Sequence, residues 1–284
     1  MEIRKSVFSG SWYPSKASEC EDMIQQFLMD AKNRRKPMER KYYGGIVPHA
    51  GWYFSGKIAC NVFQCLKTGP DCDVMIVFGM HLHRGDSGYI MPAGAWETPF
   101  GNISVDESLA QELVRRFSFI IETPDDFQRD NTIELQLPFV KYFFPDTRIV
   151  AIGIPPTQMA VEVGEFIAEM SERLGVSIKV IGSTDLTHYG PNYGFSPKGT
   201  GNKALDWVTR ENDRGVIDQM LAMNPTGVIQ EARNSGNACC AGAAAAAIAA
   251  GKKMGAIQAS EIGYATSYDK SPGDSFVGYA GIVF

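Results

Sequence analysis

Strands and helices taking turns along the chain predict an α/β fold, a sheet covered by helices on both faces. Three observations carry that reading. Residues 73–79, Asp73-Val74-Met75-Ile76-Val77-Phe78-Gly79, form a near-continuous apolar run, the mark of a strand buried on both sides. A helical stretch at 158–174 lies between two strand-like segments at 148–154 and 177–182. No Pro/Gly/Ser-rich linker, composition break or internal repeat interrupts residues 1–284, so one domain is expected.

Residues 7–14, from Val7 to Pro14, read as an ordered extended arm because of their aromatics. Ser18 with Glu21 resembles a capping box, and Met23, Ile24, Phe27 and Leu28 then share one helical face. That helix runs into a basic segment (Lys32, Arg34, Arg35, Lys36, Arg40, Lys41) expected to be a solvated loop. A strand at 45–47 and a helix at 55–66 precede the buried strand. Residues 106–117 form a helix with Leu109, Leu113, Val114 and Phe117 at core spacing. Residues 131–144 look helical but carry Pro138, which predicts a kink or break there. Beyond the 177–182 strand come helices at 202–220 and 240–250 and strands at 256–266 and 275–284. The 238–251 stretch is too short and too rich in alanine to span a bilayer, and its small side chains suit close packing on the sheet.

Of the 284 residues, 44% are hydrophobic and 21% charged, which excludes a disordered chain, a collagen-like fibre and a small disulfide scaffold. Twenty-seven basic against 32 acidic residues give a net charge of −5, and the pI is near 5.5. That balance argues against the broad basic face that nucleic acid demands. Six cysteines (Cys20, Cys60, Cys65, Cys72, Cys239, Cys240) include no CxxC pair and read as reduced thiols. The opening residues lack the apolar core of a signal peptide. A soluble cytoplasmic protein is expected, with neither nucleic acid nor membrane as partner.

All four histidines follow predicted strand ends. His49 follows 45–47, His81 and His83 follow 73–79, and His188 follows 177–182. Ligands of open α/β sheets bind outside the carboxyl ends of strands. Imidazoles converging there bind a metal, or divide between metal ligation and proton transfer. Cys239-Cys240 precedes the alanine helix; a helix N-terminus favours thiolate, yet two small buried residues beside a small-residue helix fit the spacing as well. Asp185, three residues before His188, is placed to orient an imidazole or to cap a turn. Glu134 and Gln136, polar amid apolar neighbours, face either a cavity or solvent. No GxGxxG, Walker loop, GxSxG or HExxH motif occurs, removing the main support for dinucleotide, P-loop, hydrolase and zincin readings.

These segments carry a resemblance that runs through almost the whole chain. Its pieces are the opening Arg4 to Pro14, Pro48-His49-Ala50-Gly51, the 79–85 histidine loop and Trp96-Glu97-Thr98-Pro99-Phe100-Gly101. Further on come Ile133 to Phe139, Ser183 to Tyr189, Asn237-Ala238-Cys239-Cys240 and Gly273 to Ala280. In this order and spacing they resemble the Memo family, whose prokaryotic members are labelled AmmeMemoRadiSam system protein B. The resemblance implies a single-domain α/β sandwich, a mixed sheet flanked by helices, similar to class III extradiol ring-cleaving dioxygenases. It also implies a metal cleft lined by His49, one histidine of the 79–85 loop, His188 and one cysteine.

Within the loop, His83-Arg84-Gly85 best matches the family's His-x-Gly ending, so His83 is favoured over His81. Cys240, third after Asn237, is favoured over Cys239. His188 sits where the dioxygenases keep an acid/base histidine, with Asp185 holding its ring and Trp12, Trp52 and Tyr189 as cleft walls. A cysteine stands where those enzymes have a glutamate, which shifts the expected metal from iron toward copper or zinc, or alters the reactivity of iron. Asn131 stands where the family usually has a histidine, removing one proton carrier. The implied functions are a metal-dependent redox enzyme with a small-molecule substrate, a peptide-binding module, or an accessory to a radical-SAM protein.

Overall fold

The computed structural model describes residues 1–31 and 41–284. The chain opens with β1 (Ile3–Arg4) and α1 (Ala17–Ala31). After β2 (Gly44–Val47), a π turn at Trp52–Gly56 leads into α2 (Lys57–Lys67), and β3 (Val74–Gly79) follows. Three short strands come next, β4 (Gly88–Ile90), β5 (Ala95–Trp96) and β6 (Ile103–Ser104), then α3 (Glu107–Arg116) and β7 (Phe119–Ile121). The helices α4 (Asn131–Glu134) and α5 (Leu137–Phe143) precede β8 (Arg148–Gly153), α6 (Gln158–Leu174), β9 (Ile178–Ser183) and β10 (His188–Tyr189). Four helices follow: α7 (Asn202–Trp207), α8 (Asp213–Leu221), α9 (Pro225–Ser235) and α10 (Ala241–Lys253). The strands β11 (Ser260–Thr266) and β12 (Phe276–Val283) end the series.

The main sheet runs β10-β12-β2-β9-β3-β8-β4-β7, with β11 beside β12, and β1-β5-β6 form a small separate sheet. Its centre, β2-β9-β3-β8, is parallel, while β12 is antiparallel to β2 and β4 is antiparallel to β8. This is the mixed-sheet α/β sandwich that the resemblance implies. β3 is buried at every position between β9 and β8, which is why its sequence is apolar without alternation.

The pairing register decides which helix covers which face. Ile46 stands level with Gly182, and a Cβ on Gly182 would lie 2.7 Å from the Ala243 carbonyl oxygen of α10. The adjacent Gly45 points the other way, where a Cβ would lie 2.6 Å from Val62 of α2. α10 therefore covers one face and α2 the other. α6 packs on α10 at backbone distance: a Cβ on Gly164 would come within 2.3 Å of the Ala246 carbonyl oxygen. α10 is buried from Ala241 to Gly251, as its small side chains predict.

Several expectations are corrected. α1 begins at Ala17, so Ser18 lies inside the helix and cannot cap it as the Ser18/Glu21 pattern suggests. The break in 131–144 falls at Leu135–Gln136, before Pro138, because proline is tolerated in the first turn of a new helix, where its missing N–H costs nothing. The stretch 202–220 is divided by a π turn at Val208–Asn212. α9 was not expected, although Asn224 caps Gly227 and Gly236 ends the helix in the left-handed region. Of the basic segment, residues 32–40 lie outside those described. No helix among the described residues is long and apolar enough to cross a membrane.

Candidate metal centre

The register of three adjacent parallel strands builds the site. Val47 pairs with Ser183, and Phe78 pairs with Gly182, so the strands end level with one another. His49, Asp185 and His81 each lie two residues beyond their strand end and so emerge at one height above the sheet. The N-terminus of α10, packed under the same strands, brings Cys239 and Cys240 to that place. One ligand atom each from His49, His81, Cys239 and Cys240 lies within 4.8 Å of the others. The Cys239 sulfur stands 3.3 Å from His49 Nε2 and 3.7 Å from the Cys240 sulfur. The two imidazole rings meet edge to face at 4.9 Å.

Each imidazole is oriented by its other nitrogen. His81 Nδ1 lies 2.9 Å from Asp130 Oδ2, which also accepts the His81 backbone N–H at 3.1 Å. The other Asp130 oxygen caps α4 by accepting Thr132 N–H at 2.8 Å. His49 Nδ1 lies 3.1 Å from the Ser183 hydroxyl, which donates to the Thr132 carbonyl. Both rings thus turn Nε2 toward the sulfurs, the arrangement that partners in the outer shell of metal-bound histidines impose. Met80 sets the loop: its backbone is in the left-handed region at φ 71°, its N–H donates to the Thr132 hydroxyl, and its side chain covers Gly153.

The electrostatics match. Burial disfavours charge on His81, but hydrogen bonding to Asp130 and the nearby Cys239 sulfur override it and raise the imidazole to about 10. Burial also raises the Asp130 carboxyl, yet the His81 and Thr132 contacts win and hold it at about 2. For His49, burial is outweighed by the Asp185 carboxylate and the Cys239 sulfur, and its pKa rises. Cys239 is pulled well below the ordinary thiol range despite burial, by the Cys240 thiol and the His49 and His188 imidazoles; Cys240 is pushed well above it, first by burial. The shifts run in opposite senses, the His49 and His81 imidazoles up and the Cys239 thiol down, so the pair favours opposite charges side by side, and a cation bound there would compete with the imidazole protons.

Of the expected residues, His49, His81 and Cys240 lie in this group, together with Cys239. His83 does not: it sits two residues further along the loop, exposed, with its N–H donating to Asp86. The preference for His83 over His81 is therefore corrected by the strand end at Gly79, a signal present in the sequence as the matching two-residue step after each strand. The preference for Cys240 over Cys239 shifts as well, since the imidazoles interact most directly with the Cys239 sulfur. Asp130, which sequence reasoning missed, was visible only as a helix cap.

His188 lines the same cleft, with its ring 5.0 Å from that of Tyr193, and its buried Nε2 has no hydrogen-bond partner among the described residues. Asp185 Oδ1 accepts the His49 backbone N–H at 2.7 Å, and Oδ2 stands 3.9 Å from His49 Nε2 and 4.0 Å from His188 Nε2. The expected hydrogen bond from Asp185 to the His188 ring is absent, and the carboxylate holds the His49 loop instead. Asn131 donates to the His49 carbonyl at 2.8 Å. The cleft has a volume of about 610 Å³. Trp12 lines it, but Trp52 is stacked on Phe139 in the core and Tyr189 is fully buried, so Tyr53, Phe54 and Tyr279 take their place as walls. Glu134 faces neither cavity nor solvent: buried, it accepts the Val7 and Phe8 N–H groups and the Tyr13 hydroxyl. Gln136 donates to the Pro48 carbonyl and the Ser183 hydroxyl, bracing the His49 loop.

The loop carrying His188 is tied down by buried Asp213, which accepts Thr187 N–H at 3.0 Å and the Tyr264 hydroxyl at 2.7 Å. Burial outweighs these bonds and raises the Asp213 carboxyl from 3.8 to about 6. A carboxyl raised by folding lends stability below pH 3.8 that is lost as pH rises through about 6. Compared with Asp213→Asn, the parent protein should lose about 1 kcal/mol between pH 5 and 7. Urea unfolding of both proteins at the two pH values measures this; parallel pH profiles would contradict it.

Fold and site together define an α/β protein with a partly buried His/Cys group at the carboxyl edge of its sheet. The family model for Memo-like proteins matches residues 4–283, and the chain belongs to the Memo family. A MEMO1 family protein of Pyrococcus furiosus is 34% identical over 99% of this chain and 98% of its own length. Another, of Methanopyrus kandleri, is 32% identical over 99% of this chain and 98% of its own. Among solved structures, the uncharacterized protein JW3007 from Escherichia coli K12 is similar with a TM-score of 0.52, covering 85% of this chain and 99% of that one. At 12% identity that likeness shows the fold alone.

Proposed function

We propose that this chain is a metal-dependent oxidoreductase that holds iron or copper between His49, His81, Cys239 and Cys240 and acts on a small organic molecule in the adjoining cleft. The observation that carries the proposal is the convergence of two oriented imidazoles and two sulfurs, from three separate segments, within 4.8 Å. Bonds of about 2.0–2.3 Å to nitrogen and sulfur span nearly that separation, so the donors fit an ion with little closure. Two sulfurs make the set soft, favouring Cu(I) or zinc over a hard cation. Iron or copper, when bound, supplies electron transfer that no side chain here provides.

The protein's own residues do the rest. Asp130 and Ser183 keep the imidazole Nε2 atoms aimed at the ion's position. His188, with an unpartnered Nε2 at the cleft wall, gives or takes a proton there. The Asp185 carboxyl stands 4.0 Å from that nitrogen. Trp12, Tyr53 and Tyr279 give the cleft an apolar surface for an aromatic or aliphatic substrate.

Anaerobic purification followed by elemental analysis tests the site, and oxygen uptake with a panel of catechols tests the chemistry. The expected result is about one iron or copper per chain and uptake that falls about 100-fold in His188→Gln with the metal retained. A chain that holds no ion after anaerobic reconstitution overturns the proposal. Full occupancy by zinc without uptake overturns the redox part.

A further inference from the structure

A second cavity, of about 410 Å³, opens on the other side of the Cys239 sulfur and shares no lining residue with the cleft of His49, His81 and His188. We infer that it binds a small organic anion, with an apolar body and a carboxylate or phosphate at one end. The inference does not depend on the metal: Cys239 is a wall of this cavity whether or not an ion is held.

Charge comes first. The chain carries more acidic than basic residues, yet among the described residues the cavity is lined by Arg84, Arg233 and His83 and by no carboxylate. Arg84 rides on the histidine loop and Arg233 on the last turn of α9, so two remote segments deliver cations to one hollow. Neither has an ion-pair or aromatic partner among the described residues, whereas Arg4, Arg148, Arg173 and Arg214 all hold carboxylates. Two like charges brought together without a counter-charge repel one another, and an anion between them removes that cost while accepting paired guanidinium hydrogen bonds.

The backbone adds to this field. α6, of 17 residues, and α10, of 13, both begin at the cavity wall, at Gln158 and Ala241. Neither Thr157 nor Cys240, their capping positions, makes a side-chain cap hydrogen bond. The positive ends of two helix dipoles therefore support the arginines. Leu82, Ile229, Ala232 and Ala238 supply an apolar wall, and the volume falls in the range of small-molecule sites. His83, expected as a metal ligand, finds its place here.

Calorimetric titration of the full chain with phenyl phosphate, phenylacetate, 2-phenylethanol and inorganic phosphate tests the inference. One of the two aromatic anions should saturate a single site, binding about tenfold or more tightly than the neutral alcohol. Which anion wins assigns the charged group. Arg84→Gln and Arg233→Gln, both at exposed positions, should each weaken binding about tenfold, while Lys198→Gln, far from the cavity, leaves it unchanged. Bound anion should also slow alkylation of Cys239. Equal affinity for anion and alcohol, binding that survives both arginine changes, undiminished Cys239 alkylation at saturation, or binding of inorganic phosphate only would each overturn the inference.

Discussion

His49→Ala should strip the purified protein of its metal. The imidazole it removes belongs to the donor group and stands 3.3 Å from the Cys239 sulfur. Loss of a partner in the outer shell of a metal site costs about 10–100-fold in affinity, and loss of the ligand itself costs more. Metal content should fall below about one tenth of the parent's, with Asp130→Ala intermediate and His83→Ala unaffected. The fold should survive, because Asp185 grips the His49 backbone rather than its ring and Ser183 keeps the Thr132 carbonyl as partner. Elemental analysis beside a circular-dichroism melt separates the two effects. If His49→Ala and His81→Ala both retain full occupancy, the proposed centre is wrong.

Glu134→Ala should destabilise the chain by about 3 kcal/mol, a large effect for a residue outside the donor group. Its buried carboxylate accepts N–H from Val7 at 2.9 Å and Phe8 at 2.8 Å and the Tyr13 hydroxyl at 3.0 Å. Truncation takes the acceptor away from two backbone donors and from the Tyr13 phenol, and an unsatisfied buried group costs about 1–3 kcal/mol. The arm that carries Trp12 to the cleft should then loosen, exposing residues 7–13 to protease. Glu134→Gln, which keeps one acceptor, should lose roughly half as much. Urea denaturation gives the energies and limited proteolysis locates the opening. A loss under about 1 kcal/mol, with no new cleavage in the arm, would show that the carboxylate is not the clamp.

The sequence was most legible where burial on both sides wrote long apolar runs. β3, β8, α6 and β9 lie within a residue or so of their expected positions because each is enclosed by neighbours. Strands of two or three residues, such as β5 and β6, have no room for a periodic pattern, and α9 buries only Val228, so no apolar stripe announced it. The placing of histidines after strand ends was readable, since it follows from the topology of parallel sheets. The choice between His81 and His83 was legible only in the two-residue step after the strand end; the left-handed Met80 and Asp130, 49 residues away, which hold His81 in place, are revealed by neither composition nor spacing.

The alanine helix carries one more consequence. Its seat on the sheet and on α6 is set by main-chain atoms meeting glycines, with almost no side-chain torsions in between. Thermal hopping of rotamers, which blurs most packed joints, has little to act on there. The two sulfurs are consequently mounted on something close to a rigid strut, and surface change elsewhere in the chain leaves their coordinates nearly untouched.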